Sequence, residues 1–227
     1  MFIDSVQMSS PNKGKITRRK VGAMPLLCKV AEKLGFRKIL SEFIVPHGNE
    51  AVPAVDTLIL LVYNLTLGRQ PLYELEEWVS KFDMRIFGFE PTVNGIFNDD
   101  RFGRALDKLY FTDRASLMTK IVMEMIKVTK LDLTRVHNDS TTVKAFGKIP
   151  GTTRSGFFLA RGNSKDHRPD LKQLVYCLTI TADGAVPVHF KTYPGNRTDD
   201  TTHIETWNTL CKIAGFSHFL YVADCKV

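Results

Sequence analysis

Hydrophobic residues recur at three- and four-residue spacing through the first half of the chain, and this spacing predicts helices. The predicted helices cover residues 24–34, 38–43, 53–67, about 72–82, 101–110 and 114–130. Glycines and capping residues mark several of their ends, as at Gly35, Gly68 and Asp113. The segment 53–67 is apolar nearly all round, which is typical of a central helix in a small bundle. We therefore expect an all-helical domain over residues 21–130.

After Lys130 the pattern changes to short apolar runs that predict strands. One run leads through Leu133 and Val136 into Asp139, and another, over residues 219–223, stops at Asp224. Continuous runs of this kind predict strands buried on both faces, with each aspartate at a strand end. Further strands are predicted over 143–146, 174–181 and 186–193, and a helix over 201–214.

The strands 174–181 and 186–193 are joined by Thr181-Ala182-Asp183-Gly184, which is a strong hairpin signal. Asp183 is for this reason interpreted as a turn residue rather than a metal ligand. The whole order is then an acidic strand, a hairpin, a helix and a second acidic strand. If the helix is a right-handed crossover, the last strand lies parallel to the first.

That topology would bring Asp139 and Asp224 together. Two neighbouring carboxylates are costly unless a cation neutralises them. Carboxylate oxygens suit Mg²⁺ or Mn²⁺, and a two-metal site supports in-line phosphoryl displacement. The sequence thus predicts an α+β chain with a divalent-metal site in which Asp139 and Asp224 are the ligands.

The chain of 227 residues has a net charge of +7 and a pI near 9.2, which favour a polyanionic partner such as nucleic acid. Residues 1–20 are basic and are predicted to form a flexible tail, with an arm that contacts phosphate as the alternative. The short helices of 21–130 could include a DNA-binding helix-turn-helix or simply pack as a bundle, and could also serve oligomerisation.

A second basic stretch lies between the two acidic strands. Residues 154–172 hold five cations against two acids, a local excess of three. Either this loop is a solvated surface in which Asp166 and Arg168 pair locally, or its side chains contact DNA phosphates. The candidates for DNA contact are Arg154, Arg161, Lys165, His167, Arg168 and Lys172.

The four cysteines are scattered without a CxxC pair, which indicates reduced thiols in a cytoplasmic protein. The longest apolar run, residues 58–65, is too short to span a bilayer, and no membrane partner is expected.

Five motifs lie around and between the two acidic strands. They are His137-Asn138-Asp139-Ser140-Thr141-Thr142, Gly162-Asn163-Ser164-Lys165-Asp166-His167-Arg168-Pro169-Asp170-Leu171-Lys172-Gln173, Asp183-Gly184-Ala185-Val186-Pro187, Gly195-Asn196-Arg197-Thr198-Asp199 and Val222-Ala223-Asp224. Together they resemble the catalytic domain of bacterial insertion-sequence DDE transposases. Residues from about 20 to 110 are similar to the helical domain that precedes it in one branch of that group.

The resemblance implies that residues 131–227 form a partial ribonuclease-H-like catalytic domain, in which Asp139 and Asp224 are the first two acids of a triad. The third acid, a glutamate on a later helix, has no counterpart within the chain, and Glu205 precedes Asp224 and cannot replace it. The implied activity is metal-dependent cleavage and transfer of DNA strands in the transposition of an insertion sequence. The implied partners are transposon ends, target DNA and further copies of the chain, in the bacterial cytoplasm and at the nucleoid.

Because the third acid is missing, we expect a truncated transposase that binds metal weakly and neither cuts nor joins DNA. Two alternatives remain at this point. One is a non-catalytic, DNA-binding remnant of a transposase, and the other is a ribonuclease-H-like nuclease of another kind.

Overall fold

The computed structural model describes residues 18–46, 48, 50–88, 96–147, 159–162, 170–197 and 200–224. Its contacts divide the chain into two compact units, 1–30 with 46–108 and 31–45 with 109–227. Helices occupy the first half, and a four-stranded mixed sheet with a further helix follows. The predicted α+β class is therefore confirmed.

The described helices are α1 (Met24–Lys33), α2 (Phe36–Phe43), α3 (Ala54–Leu67), α4 (Leu75–Ser80), α5 (Asp99–Phe111), α6 (Arg114–Thr129) and α7 (Asp200–Ala214). Asp113 caps α6 as predicted, because its carboxylate accepts a hydrogen bond from the Ser116 amide. Pro53 stands just before α3, and Gly68 ends it. Each of these described helices is too short or too polar to cross a membrane.

The helix predicted over about 72–82 is present but is divided into two kinds of turn and ends at Ser80. The chain forms a 3₁₀ turn at Leu72–Glu74, then α4, and then a second 3₁₀ turn at Met84–Phe87. The second turn starts at Asp83, whose backbone is extended and whose carboxylate accepts the Arg85 amide at 3.0 Å. Local side-chain bonding of this kind competes with continuation of a helix.

The core of the first unit is built on aromatic side chains. Phe82 is 2% exposed and lies with its ring centroid 5.0 Å from Trp78 and 5.9 Å from Phe87. Trp78 also packs where a β-carbon on Gly68 would lie only 2.7 Å from its Nε1 atom. The small residue that ends α3 thus admits the indole.

In the second unit the strands are β1 (Arg135–Ala145), β2 (Lys172–Thr181), β3 (Pro187–Pro194) and β4 (Leu220–Ala223). Their order in the sheet is β3-β2-β1-β4. The pairs β1–β2 and β2–β3 are antiparallel, while β4 runs parallel to β1. The predicted hairpin and the predicted parallel return of the last strand are both present.

Helices α6 and α7 cover one face of this sheet. The core there combines Val122 of α6 and Leu210 of α7 with Val136, Val188 and Phe219. Trp207 stacks on Phe219 with ring centroids 4.3 Å apart. This apolar layer fixes which face of β1 is buried, and therefore which face carries the acids.

Two expectations about β1 are wrong. The strand is continuous from Arg135 to Ala145, so Asp139 lies in its interior rather than at its end. Burial also alternates along the strand, with Val136 and Asn138 buried and Arg135, His137 and Asp139 exposed. The alternating polar positions give β1 one covered face and one open face, instead of burial on both.

Candidate metal centre

The first acid of the candidate site, Asp139, is held in the middle of a paired strand. It lies opposite Leu178 in the antiparallel ladder with β2. Its side chain is exposed on the open face of the sheet, and its Oδ1 atom accepts the Ser140 amide at 2.7 Å. Because β1 is paired on both sides near this point, the backbone position of Asp139 is well defined.

The second acid is brought beside the first by the parallel register. Asn138 pairs with Ala223, the last residue of β4, and one further step along both strands gives Asp139 and Asp224. Neighbouring strands are about 4.8 Å apart. Both side chains are exposed, and both line one cleft on the open face. This is the arrangement that a shared cation requires.

The residue that precedes Asp139, Asn138, is hydrogen-bonded on the covered face of the sheet. Asn138 is 5% exposed, and its Oδ1 atom accepts a hydrogen bond from the Thr179 hydroxyl at 2.9 Å. Thr179 is itself fully buried. This bond links the acid-bearing strand to β2, so it supports the site from behind.

The cleft has a volume of about 470 Å³. Side chains of three strands line it: His137, Asp139 and Thr141 from β1, Leu178 and Ile180 from β2, and Val222 from β4, with Asp224 following β4. Its floor is thus apolar and its polar groups gather around the two acids. Sequence reasoning missed His137 and Thr141, although their spacing of two residues from Asp139 on a strand was the available signal.

The donor set fits a hard divalent cation. Two exposed carboxylates on one sheet face offer oxygen ligands and leave room for water, which Mg²⁺ and Mn²⁺ retain. The part of the chain that the structure describes contains no group of three or more His, Cys, Asp and Glu side chains arranged to hold a metal.

Glu205 lies on the other side of the sheet. It stands on α7, pairs with Lys191, and accepts the Tyr193 hydroxyl at 3.2 Å. The hydrogen bond from Lys191 is the main reason why the pKa of Glu205 lies below its ordinary value. Because α7 covers the face opposite the cleft, Glu205 forms its ion pair with Lys191 on that face and does not line the cleft.

Two of the six candidate DNA contacts are described. Arg161 is exposed beside Ala160, and Lys172 is half-buried at the start of β2. The other four, Arg154, Lys165, His167 and Arg168, lie outside the described residues.

The end of the basic N-terminal stretch is anchored. The Lys20 amide donates to the Lys81 carbonyl at 2.7 Å, and the Arg19 guanidinium donates to the Ser80 carbonyl at 2.6 Å. Residues 1–17 of the predicted tail lie outside the described residues.

Comparison with known proteins gives one finding. Residues 16–123 match a domain of unknown function, DUF4277. Neither the search of curated proteins nor the search of solved structures gave a match. The match covers the helical half and stops before β1, so the site itself rests on its own geometry and on the motifs of the sequence.

Proposed function

We propose that this chain is a DDE-type transposase, or a fragment of one, whose chemistry is metal-dependent cleavage and transfer of DNA strands. The observation that carries the proposal is the parallel register that sets Asp139 and Asp224 side by side on an open face. The transposase-like motifs around both acids support the same assignment.

In this proposal Asp139 and Asp224 would hold the divalent ion, Mg²⁺ or Mn²⁺. The ion would supply activation of the attacking water or hydroxyl and stabilisation of the leaving oxygen. The chain supplies position, because β1 fixes Asp139 and the Asn138–Thr179 hydrogen bond holds that strand to β2. Positioning accounts for much of the rate in phosphoryl transfer.

The basic side chains supply attraction for the polyanion. With a net charge of +7, the chain is expected to bind DNA with a marked salt dependence and little sequence preference at these contacts. Transposon ends and target DNA are the proposed partners, together with further copies of the chain. We assign this activity to the bacterial cytoplasm.

A non-catalytic DNA-binding remnant is the second candidate. The observation that favours it is the position of Glu205, which pairs with Lys191 on the opposite side of the sheet and therefore does not join Asp139 and Asp224. A remnant would keep DNA binding and weak metal binding but would not cleave DNA. A nuclease of another kind would cleave DNA but would not join it.

The test measures Mn²⁺ binding and DNA processing by the 227-residue chain. Titration with Mn²⁺ should show binding that Asp139→Asn and Asp224→Asn each weaken at least tenfold. Asp183→Asn is the matched control. Asp183 is exposed in the hairpin turn, and its substitution changes the charge by the same amount. Equal Mn²⁺ affinity in all four proteins would refute the metal centre.

DNA processing separates the candidate functions. Strand joining with Mn²⁺ that is lost in Asp139→Asn would make the chain a complete transposase. Cleavage without joining would identify a nuclease, and DNA binding without either would identify the remnant. Absence of DNA binding at low salt would contradict all three.

A further inference from the structure

Three segments that are distant in sequence meet at the start of β2. Ala160 and Gln173 exchange two backbone hydrogen bonds, of 2.9 and 3.2 Å, and form an antiparallel bridge. The Gln173 side chain is 1% exposed and donates from Nε2 to the Gly195 carbonyl at 3.2 Å. The backbone of Gly162 passes against the same carbonyl. We call this the glycine junction, made of Ala160, Gly162, Gln173 and Gly195.

The two glycines are required because side chains would not fit. A β-carbon on Gly162 would overlap the Gly195 carbonyl oxygen and lie 2.9 Å from the Gln173 side-chain nitrogen. A β-carbon on Gly195 would overlap Gln173 and come within 2.5 Å of the Ala160 carbonyl oxygen. The junction therefore holds segment 160–162 in one register against β2.

That register sets two cations opposite each other. Ala160 faces Gln173 in an isolated antiparallel bridge, so the positions one step further along the two segments are Arg161 and Lys172. In such a ladder the pair beside a hydrogen-bonded pair is the closer one, with Cα atoms about 4.5 Å apart and both side chains on the same face. Like charges at directly opposite positions destabilise a sheet.

Within the described residues, no carboxylate forms an ion pair with Arg161 or Lys172. Two cations held close together by a rigid junction are suited to bind an anion between them. Arg and Lys at this spacing can both donate to the oxygens of one phosphate.

We propose that Arg161 and Lys172, held by the glycine junction, form a clamp for a backbone phosphate of bound DNA. This inference rests on the proposed function, because it takes DNA as the polyanion. Lys172 lies six residues along β2 from Leu178, the partner of Asp139, which corresponds to about 20 Å of strand. The clamp would thus contact the DNA well away from the metal, as a positioning site rather than a catalytic one.

The first measurement is the salt dependence of DNA binding. The probe is a fluorescent 30-base-pair duplex of arbitrary sequence, titrated with the full chain at several salt concentrations. Loss of two phosphate contacts should lower the slope of log affinity against log salt by about 2 in Arg161→Gln/Lys172→Gln. Arg104→Gln/Lys212→Gln removes the same charge from two exposed helix positions and should leave the slope within about half a unit of the wild type.

A second measurement excludes a folding defect. Without DNA, Arg161→Gln/Lys172→Gln should melt at or above the wild-type temperature, since it relieves like-charge repulsion. Added inorganic pyrophosphate should raise the melting temperature of the wild type more than that of this variant.

The outcomes separate the clamp from the proposed function. A lower slope in the clamp variant alone, with the pyrophosphate difference, supports the clamp. Equal slopes in all three proteins overturn the clamp while DNA binding stands. If both double variants lower the slope by the same amount, the change is a general effect of charge, and the clamp is also overturned. A wild type that binds no duplex at low salt overturns the clamp and the DNA-processing proposal together.

Discussion

Asn138 lies opposite Ala223 in the parallel ladder between β1 and β4, one residue before each of the two aspartates. This pairing joins two residues that are 85 positions apart in the sequence. Because the ladder sets the register, the residue that follows β4 is the one that faces Asp139 unless the strand shifts. The metal proposal therefore depends on a backbone relationship as well as on the two side chains.

The stability of the metal-free protein should increase when one acid is removed. Asp139→Asn takes away one of two neighbouring negative charges and should raise the melting temperature in the presence of a chelator. Addition of Mn²⁺ should then stabilise the wild type more than the variant. The measurement is thermal unfolding with and without Mn²⁺. A melting temperature that falls in chelator would show that Asp139 has a stabilising partner instead.

The buried hydrogen bond behind the site should behave as a coupled pair. Thr179→Val leaves the Asn138 side chain without its donor and should lower the free energy of unfolding by about 1–3 kcal/mol. Adding Asn138→Leu should recover part of this loss, because both polar groups are then gone. Thr119→Val on the exposed side of α6 is the control and should change stability by less than about 0.5 kcal/mol. Additive losses in the double variant would contradict the pairing.

Two glycine substitutions should have opposite effects. Gly195→Ala introduces a β-carbon that overlaps Gln173 and should destabilise the protein by about 1–3 kcal/mol. Gly103→Ala lies inside α5 with no atom within 4 Å of the new β-carbon. It should stabilise its helix by about 0.5–1 kcal/mol. Urea denaturation measures both, and a neutral Gly195→Ala would show that the junction is loose.

The stability of the sheet should fall as the pH is lowered below the ordinary pKa of histidine. Burial, reinforced by the charge of Lys191, lowers the pKa of His189 in the folded protein, although the charge of Glu205 acts in the opposite direction. The unfolded chain then binds more protons than the folded chain between the lowered folded pKa and about 6.5. Stability is therefore complete above about pH 6.5 and decreases as the pH falls through the folded pKa.

His189→Gln is the variant that tests this origin. Its melting temperature should fall less between pH 7.5 and pH 5.5 than that of the wild type. His218→Gln is the control, because His218 is exposed, and it should keep the wild-type fall. Identical pH profiles for the wild type and both variants would assign the dependence to other groups.

Much of the fold is predictable from periodicity and capping. The α6 cap at Asp113, the end of α3 at Gly68 and the hairpin between β2 and β3 all depend on local chemistry that single residues carry. The handedness rule for crossovers then predicts the parallel pairing of β1 with β4. These features need no knowledge of distant contacts.

The features that could not be predicted depend on contacts across the fold. Burial of Phe82 against Trp78 and Phe87 is one example, because no local pattern specifies it. The open face of β1 likewise depends on where α6 and α7 pack. The glycine junction is another case. Gly162, Gln173 and Gly195 come from three segments that are distant in sequence, so their contacts cannot be predicted from local patterns.

The pairing of β1 and β4 also makes the two acids unequal in local stability. Asp139 is carried by an eleven-residue strand, while Asp224 follows a strand of four residues that is paired with β1 alone among the described strands. Opening of a short peripheral strand requires much less free energy than global unfolding. Amide hydrogen exchange should accordingly be faster at Val222 and Ala223 than at Asn138 and Asp139. A cation that bridges both carboxylates would slow amide exchange mainly in β4. Metal binding would therefore be measurable as a local stabilisation of the shorter strand.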